Sequence, residues 1–228
     1  MTDKRSVILF VKLPEKGRVK SRLALHIGED MAVHLYENMV LDVIDLLKRG
    51  RFPFRICFTP PGERDQMTGW LGHEHLLVPQ AGDDLGDRME EAFDSVFAGG
   101  VQEALLIGSD IPGLTTDVIN EAFTALLSND AVIGPAVDGG YYLIGFRKRS
   151  FKPGIFHDIV WSTGTVFRET MAKLHEASLN VHVLPELTDV DTVEDLRTLM
   201  SQAASPAPEN SRTRSFLEQH CKDIPKKS

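Results

Sequence analysis

The run SVILFVKLPEKGRVKSRLA, residues 6–24, decides how the rest of the chain is read. Its first half, Val7 to Val11, is short, continuously apolar and rich in β-branched residues, as expected of a strand buried on both faces. Its second half carries Lys12, Lys16, Arg18, Lys20 and Arg22 around Pro14 and Gly17, in a chain whose net charge is −8. A loop with glycine, backbone N–H groups and nearby Lys and Arg, placed just beyond a strand, is a common way to hold phosphate. The same loop can also be a plain solvated basic segment. It is neither a Walker loop nor a dinucleotide fingerprint, since GxxxxGK[ST] and GxGxxG are both absent.

Working outward, apolar runs at 54–60, 75–80, 103–110 and 180–187 read as further strands, and 130–146 as two strands around a tight turn at 137–141. Helical periodicity marks 30–49, 86–98, 115–128, 164–177 and 192–203. Strands alternating with helices predict an α/β protein with a mostly parallel sheet and helices on both faces. The composition shifts to Ala, Pro and Ser after residue 203. We therefore expect one domain over 1–203 and a polar linker and C-terminal tail over 204–228, with a short helix around Phe216 and Leu217.

A length of 228 residues and 42% hydrophobic content suit a soluble globular chain. The negative net charge argues against general nucleic-acid binding. Cys57 reads as a buried free thiol and Cys221 lies in the polar tail, so neither a disulfide framework nor a zinc site is expected. No segment approaches the roughly 18 apolar residues of a membrane span. The apolar stretch near the N-terminus falls short of the roughly 7–15 residues of a secretory signal. A cytoplasmic location is expected.

In an open parallel sheet the ligand sits beyond the carboxyl ends of the strands. After the first strand stand Lys12, Gly17, Lys20 and Arg22. After the fourth, in IGSDIPGL, Gly108 and Ser109 allow close backbone approach, and Asp110 stands at the strand tip. Asp110 suits Mg2+ or Mn2+ together with phosphate oxygens, or else opens an Asx turn. In AVDGGYYLIGF, Asp138 is either a hairpin residue or a carboxylate that orients an acceptor hydroxyl and takes its proton. In LTDVDTVEDL, Thr192 and Asp195 form a capping-box pattern that leaves Asp189 and Asp191 unexplained. Trp161 reads as a core or edge tryptophan, or as a stacking platform for a base or sugar. The eight histidines show no metal spacing.

These stretches, with QAGDDLGDRMEEAF and IVWSTGTVF, occur in an order that resembles bacterial transferases of the glycosyltransferase-A type, the nucleotide-diphospho-sugar transferase superfamily. Within it they resemble a group of small transferases once classed only as a domain of unknown function, some linked to arsenosugar biosynthesis. The guanylyltransferases for 2-phospholactate and for the molybdenum cofactor are more distant relatives. The resemblance covers roughly residues 6–203. It implies a three-layer α/β/α, Rossmann-like fold with a mixed sheet. It also implies that Lys12, Gly17, Lys20, Arg22, Gly108 and Ser109 hold the nucleotide and its phosphates. Gln80, Gly86 and Arg88 would lie near the base or ribose, and Asp110 and Asp191 would hold Mg2+ or Mn2+. Asp138 would face the acceptor. Lys20, Asp110 and Asp138 are then the candidate catalytic residues.

Three functions fit this reading. One is a metal-dependent transferase that passes a sugar from a nucleotide-diphospho-sugar to a small-molecule acceptor. The second is a nucleotidylyltransferase that uses an NTP and a phosphorylated acceptor and releases pyrophosphate. The third is an inactive nucleotide-binding regulator. The acceptor's identity is set by side chains around the hairpin and residues 148–165, and the sequence there does not name it.

Overall fold

Alternation along the first strand sets the layers. In β1 (Arg5–Lys12), Val7, Leu9 and Val11 point to one side of the sheet and Ile8 to the other, and all four are buried. Both faces must therefore be covered, and helices cover them. The computed structural model describes residues 4–201 and 211–220 of the chain. The tail residues 204–210 and Cys221 lie outside the described residues.

The sheet has seven strands in the order β3-β2-β1-β4-β6-β5-β7. β1 pairs in parallel with β2 (Phe54–Thr59) and with β4 (Glu103–Ile107). β3 (Leu77–Pro79) extends the parallel set beside β2. β6 (Tyr141–Arg147) runs antiparallel between β4 and β5 (Ala131–Pro135), and β7 (Val181–Val183) returns parallel beside β5. The 137–141 turn gives the antiparallel hairpin, and the fold is the expected mixed α/β type.

On one face the core joins Val7, Leu9, Ile56, Phe58, Leu105 and Ile107 to α2 (Glu29–Arg49), α3 (Arg64–Leu71) and α5 (Thr116–Ala125). On the other, Ile8, Cys57, Leu106 and Phe146 meet α4 (Leu85–Ala98) and α6 (Val166–Glu176). There Phe93 lies edge-on to Phe146, with centroids 5.1 Å apart, and touches Phe151 at 5.2 Å. Each buried ring removes enough apolar surface to contribute about 2–3 kcal/mol. This cluster anchors the segment that leads to Trp161.

A third, smaller core lies outside α2. Leu35 and Met39 meet Leu23 of α1 (Ser21–Ile27), Val193, Leu196 and Leu199 of α7 (Val193–Ser201), and Leu217 of α8 (Arg212–His220). Asp42 of α2 accepts from the first backbone N–H groups of α8, Arg212 at 2.8 Å and Thr213 at 2.9 Å. This side-chain acceptor satisfies groups that a helix start leaves open. The third core matters for the site because α1 and α7 each begin beside it. Among the described residues no helix is long and apolar enough to cross a membrane.

Candidate functional site

The chain leaves β1 toward β2 on one side, while β4 lies on the other. The crevice between their carboxyl ends is the topological switch point of the sheet, where open α/β folds place ligands. Lys12 ends β1, and Gly108, Ser109 and Asp110 follow β4. Tyr36 of α2 joins the two sides: its hydroxyl accepts from the Lys12 N–H at 2.8 Å and lies 3.2 Å from the Ser109 hydroxyl. Burial holds the Tyr36 phenol well above its ordinary pKa, so it stays neutral and can accept from one group and donate to the other.

Lys20 is the centre of the arrangement. It precedes α1 in the left-handed region, φ 49° and ψ 38°, and its side chain makes no cap to that helix. A non-glycine residue there is disfavoured by about 1–2 kcal/mol. The side chain is 3% exposed, and its ammonium lies 2.9 Å from Asp110 Oδ2 and 3.8 Å from Asp191 Oδ1. Gly108 leaves room for this pair, since a Cβ there would stand 3.1 Å from Asp110 Oδ1. Burial raises the pKa of Asp110, but the charge of Lys20 and its hydrogen bond outweigh burial, and the carboxyl is held below its ordinary value.

Asp189 is shifted the other way. Burial, reinforced by Asp138 and Asp110, pushes its carboxyl up to about 6. Backbone contacts lace the three carboxylate-bearing segments together. Val190 N–H donates to the Asp110 carbonyl at 3.3 Å, and Val137 N–H to the Leu187 carbonyl at 3.1 Å. The capping box is present: Asp195 N–H donates to Thr192 Oγ1 at 3.2 Å, and Thr192 N–H to Asp195 Oδ2 at 2.7 Å. With Asp195 committed to that cap, Asp191 faces Lys20 and Arg22.

The five cations of the first loop divide. Lys16 pairs with Asp30 at 2.6 Å and Arg18 with Glu15 at 3.1 Å. Lys16, Asp30 and Arg18 are largely exposed, and such surface pairs contribute about 0–1 kcal/mol. Lys20 and Arg22 turn to the carboxylates, Arg22 reaching Asp191 at 3.5 Å. The charge of Lys12 also acts on Asp110. Gly17 adopts φ 74°, which the turn requires.

Asp138 takes the hairpin position, with its carboxylate close enough to act on its neighbours. Its Oδ1 accepts from Gly140 N–H at 2.8 Å, an Asx turn, and its charge acts on Asp189. Gly139 has φ 88°, and a Cβ there would come within 2.3 Å of the Gly164 carbonyl, so the hairpin tip packs closely on the 160–165 segment.

Gln80, Gly86 and Arg88 sit apart, at the ends of β3 and α4, with β3 two strand spacings, about 10 Å, from β1. The Gln80 amide donates to the Cys57 carbonyl at 2.8 Å. Arg88 folds the 82–84 loop through the Gly82 and Asp83 carbonyls. At Gly86 a Cβ would meet the Phe156 carbonyl at 2.6 Å and the Trp161 ring at 3.0 Å. Trp161 is thus an edge residue packed on the second core. Residues 147–152 do not approach the site at all. They lie at the opposite end of the strands, where Arg147 pairs with Glu103 at the start of β4.

Two residues now stand out to which the sequence reading gave no role of their own. Tyr36 is hidden among the apolar positions of α2 and carries no local signal. Asp189 was visible only as a surplus carboxylate outside the capping box. Among the described residues, no three His, Cys, Asp or Glu side chains form a ready metal cage. The donor chemistry nevertheless suits Mg2+ or Mn2+. Such ions take a few carboxylate oxygens and complete their shell with water and phosphate, and Asp110 and Asp191 share one cation here already.

The fold and this crevice define the class: an α/β protein with the architecture of nucleotide-diphospho-sugar transferases and nucleotidyltransferases. A family model for uncharacterized proteins conserved in bacteria (DUF2064) matches residues 41–163, and the chain belongs to that family. A protein of Desulfovibrio desulfuricans G20, provisionally named a nucleotide-diphospho-sugar transferase, superposes with a TM-score of 0.91 at 39% identity over 96% of this chain and 95% of its own. Rv0371c of Mycobacterium tuberculosis H37Rv, crystallised with manganese, is similar at TM-score 0.53 and 14% identity over 88% of this chain and 100% of its own. CMP:2-keto-3-deoxy-manno-octonic acid synthetase with CTP is similar at TM-score 0.52 and 14% identity, over 88% and 99%. The last two likenesses concern the fold alone. No curated protein matches the chain.

Proposed function

We propose that this chain is a metal-dependent transferase that takes a nucleotide-diphospho-sugar and passes the sugar to a small-molecule acceptor. The observation that carries the reading is the buried Lys20 at the switch point, held between Asp110 and Asp191 with Asp138 and Asp189 beside it. Lys12, Lys20 and Arg22 supply positive charge where the diphosphate would lie. Gly108 and Ser109 let it approach the backbone. Asp110 and Asp191 would hold Mg2+ or Mn2+, which would supply charge neutralisation on the leaving phosphate. Asp138, at the hairpin mouth, takes the proton of the acceptor hydroxyl as its oxygen bonds to the anomeric carbon. The bond from that carbon to phosphate breaks, and nucleoside diphosphate leaves. Gln80, Gly86 and Arg88 shape the far wall on the side of the base.

A second reading, nucleotidyl transfer, is favoured by the shared fold of the CTP-bound synthetase. There a phosphorylated acceptor would attack the α-phosphorus of an NTP and pyrophosphate would leave. Product analysis separates the two. A panel of nucleotide sugars and NTPs is incubated with Mg2+ or Mn2+ and candidate acceptors. Metal-dependent release of nucleoside diphosphate supports the first reading and release of pyrophosphate the second. Nucleotide binding without turnover over the panel would point to a regulator.

A further inference from the structure

The Lys20 ammonium lies between Asp110 and Asp191, the two carboxylates read above as the metal-holding pair. We infer that Lys20 is the internal counter-ion of the metal site, holding Asp110 and Asp191 in place and excluding a free metal ion until phosphate draws the ammonium away. The inference rests on the reading of Asp110 and Asp191 as the metal-holding pair, and it names how that pair is regulated.

Three observations support it. The Lys20 ammonium touches both carboxylates, at 2.9 Å and 3.8 Å, so a dication between them would meet a positive charge at contact distance. The side chain is 3% exposed, whereas Arg22 on the same Asp191 is 72% exposed and free to swing out. Displacing a buried ammonium without a new partner is costly, and displacing an exposed guanidinium is not. Finally, Lys20 sits in the left-handed region without capping α1, so its backbone geometry serves the placement of its side chain and not a helix cap. Phosphate entering beside Lys12 would give the ammonium a new partner and free the carboxylates. Metal and phosphate then favour each other's binding reciprocally, and a free metal ion alone binds poorly.

The test is calorimetric titration of Mn2+ alone into the full chain, its Lys20→Met and Lys20→Gln variants, and Asp110→Asn. With the ammonium removed, Mn2+ should bind at least about tenfold more tightly to both Lys20 variants than to the wild type. Inorganic pyrophosphate, corrected for its own complex with the metal, should tighten Mn2+ binding to the wild type and do so less in the variants. Equal or weaker Mn2+ binding in both Lys20 variants, with binding lost in Asp110→Asn, overturns the inference and leaves the metal site standing. Mn2+ binding retained in Asp110→Asn, or absent from every protein, overturns both.

Discussion

Two basic runs lie at opposite ends of the same sheet, and their fates differ. The run from Lys12 to Arg22 stands at the carboxyl ends of the parallel strands and turns Lys20 and Arg22 onto carboxylates. The run from Arg147 to Lys152 stands at the other end, where helices finish. There Arg147 donates to the Leu127 carbonyl just past α5, Lys148 to the Phe97 carbonyl of α4 at 2.6 Å, and Lys152 to the Ala177 carbonyl that ends α6 at 2.7 Å. Three cations thus close three helix C-termini, where the backbone carbonyls and the helix dipole favour positive charge. Positive charge in a sequence is therefore not by itself a ligand site. The deciding feature is which end of the strands it reaches and whether its partners are backbone carbonyls or other ionisable groups.

The comparison breaks most visibly at Asp110. Asp110→Asn should lower metal-dependent turnover by about 10²–10³-fold, the scale seen when a charge-stabilising group is removed. Steady-state rates with the donor found in the product assay would check this. A fall of less than tenfold would mean that the first run is as structural as the second.

Replacing Arg147, Lys148 and Lys152 together by Gln should do the opposite. Stability should drop by about 1–3 kcal/mol, from three dipole and carbonyl interactions. The thermal midpoint should fall by about 2–4 °C per kcal/mol, and nucleotide affinity should stay unchanged. Weakened nucleotide binding in this variant would erase the distinction between the runs.

Tyr36→Phe sharpens the first side. It removes the acceptor of the Lys12 N–H and the partner of Ser109, at a cost of about 1 kcal/mol, so nucleotide should bind about fivefold more weakly. An unchanged dissociation constant with a lowered thermal midpoint would reduce Tyr36 to a packing role.

The smallest effect concerns Asp189. Its folded pKa is raised to about 6 from an ordinary 3.8, so the folded state holds the proton longer than the unfolded chain. Its contribution is full below pH 3.8 and is lost as pH rises through about 6. In EDTA, the thermal midpoint of Asp189→Asn relative to wild type should therefore rise between pH 4 and pH 7.5. A difference that is flat with pH would contradict the crowding of Asp189 by Asp138 and Asp110. Asp110 works with the opposite sign: its lowered pKa gives stability that is present above pH 3.8 and lost in more acid solution.

Much of the sheet was legible because buried parallel strands are short, apolar and β-branched, and the long helices carry a clear 3.6-residue period. α1 and α3 were not foreseen. SRLALHI buries Leu23 but leaves Leu25 86% exposed, and its start lacks a capping side chain. RDQMTGWL contains Gly69 and buries only Met67 and Leu71, so neither helix shows a periodic face in the sequence. At the site, Asp110 and Asp138 were legible as polar residues at strand ends. Asp191 was legible because Thr192 and Asp195 already accounted for the helix start. Tyr36 was not, because a hydroxyl on the apolar face of a helix shows its purpose only when two distant strand ends meet it. The role of 147–152 was also hidden, since the helix ends that it closes are up to 51 residues away in sequence.

The central claim is that Lys20, Asp110 and Asp191 form a site for metal and phosphate together. The most direct test is thermal unfolding of the wild type and of Asp110→Asn against nucleotides and nucleotide sugars, with and without Mn2+. A ligand at ~100 times its Kd stabilises the folded state by about 2.7 kcal/mol, a clear shift in midpoint. The account predicts a shift that needs both nucleotide and metal in the wild type and disappears in Asp110→Asn. A shift of the same size without metal, or one retained in Asp110→Asn, or none with any nucleotide, would contradict it.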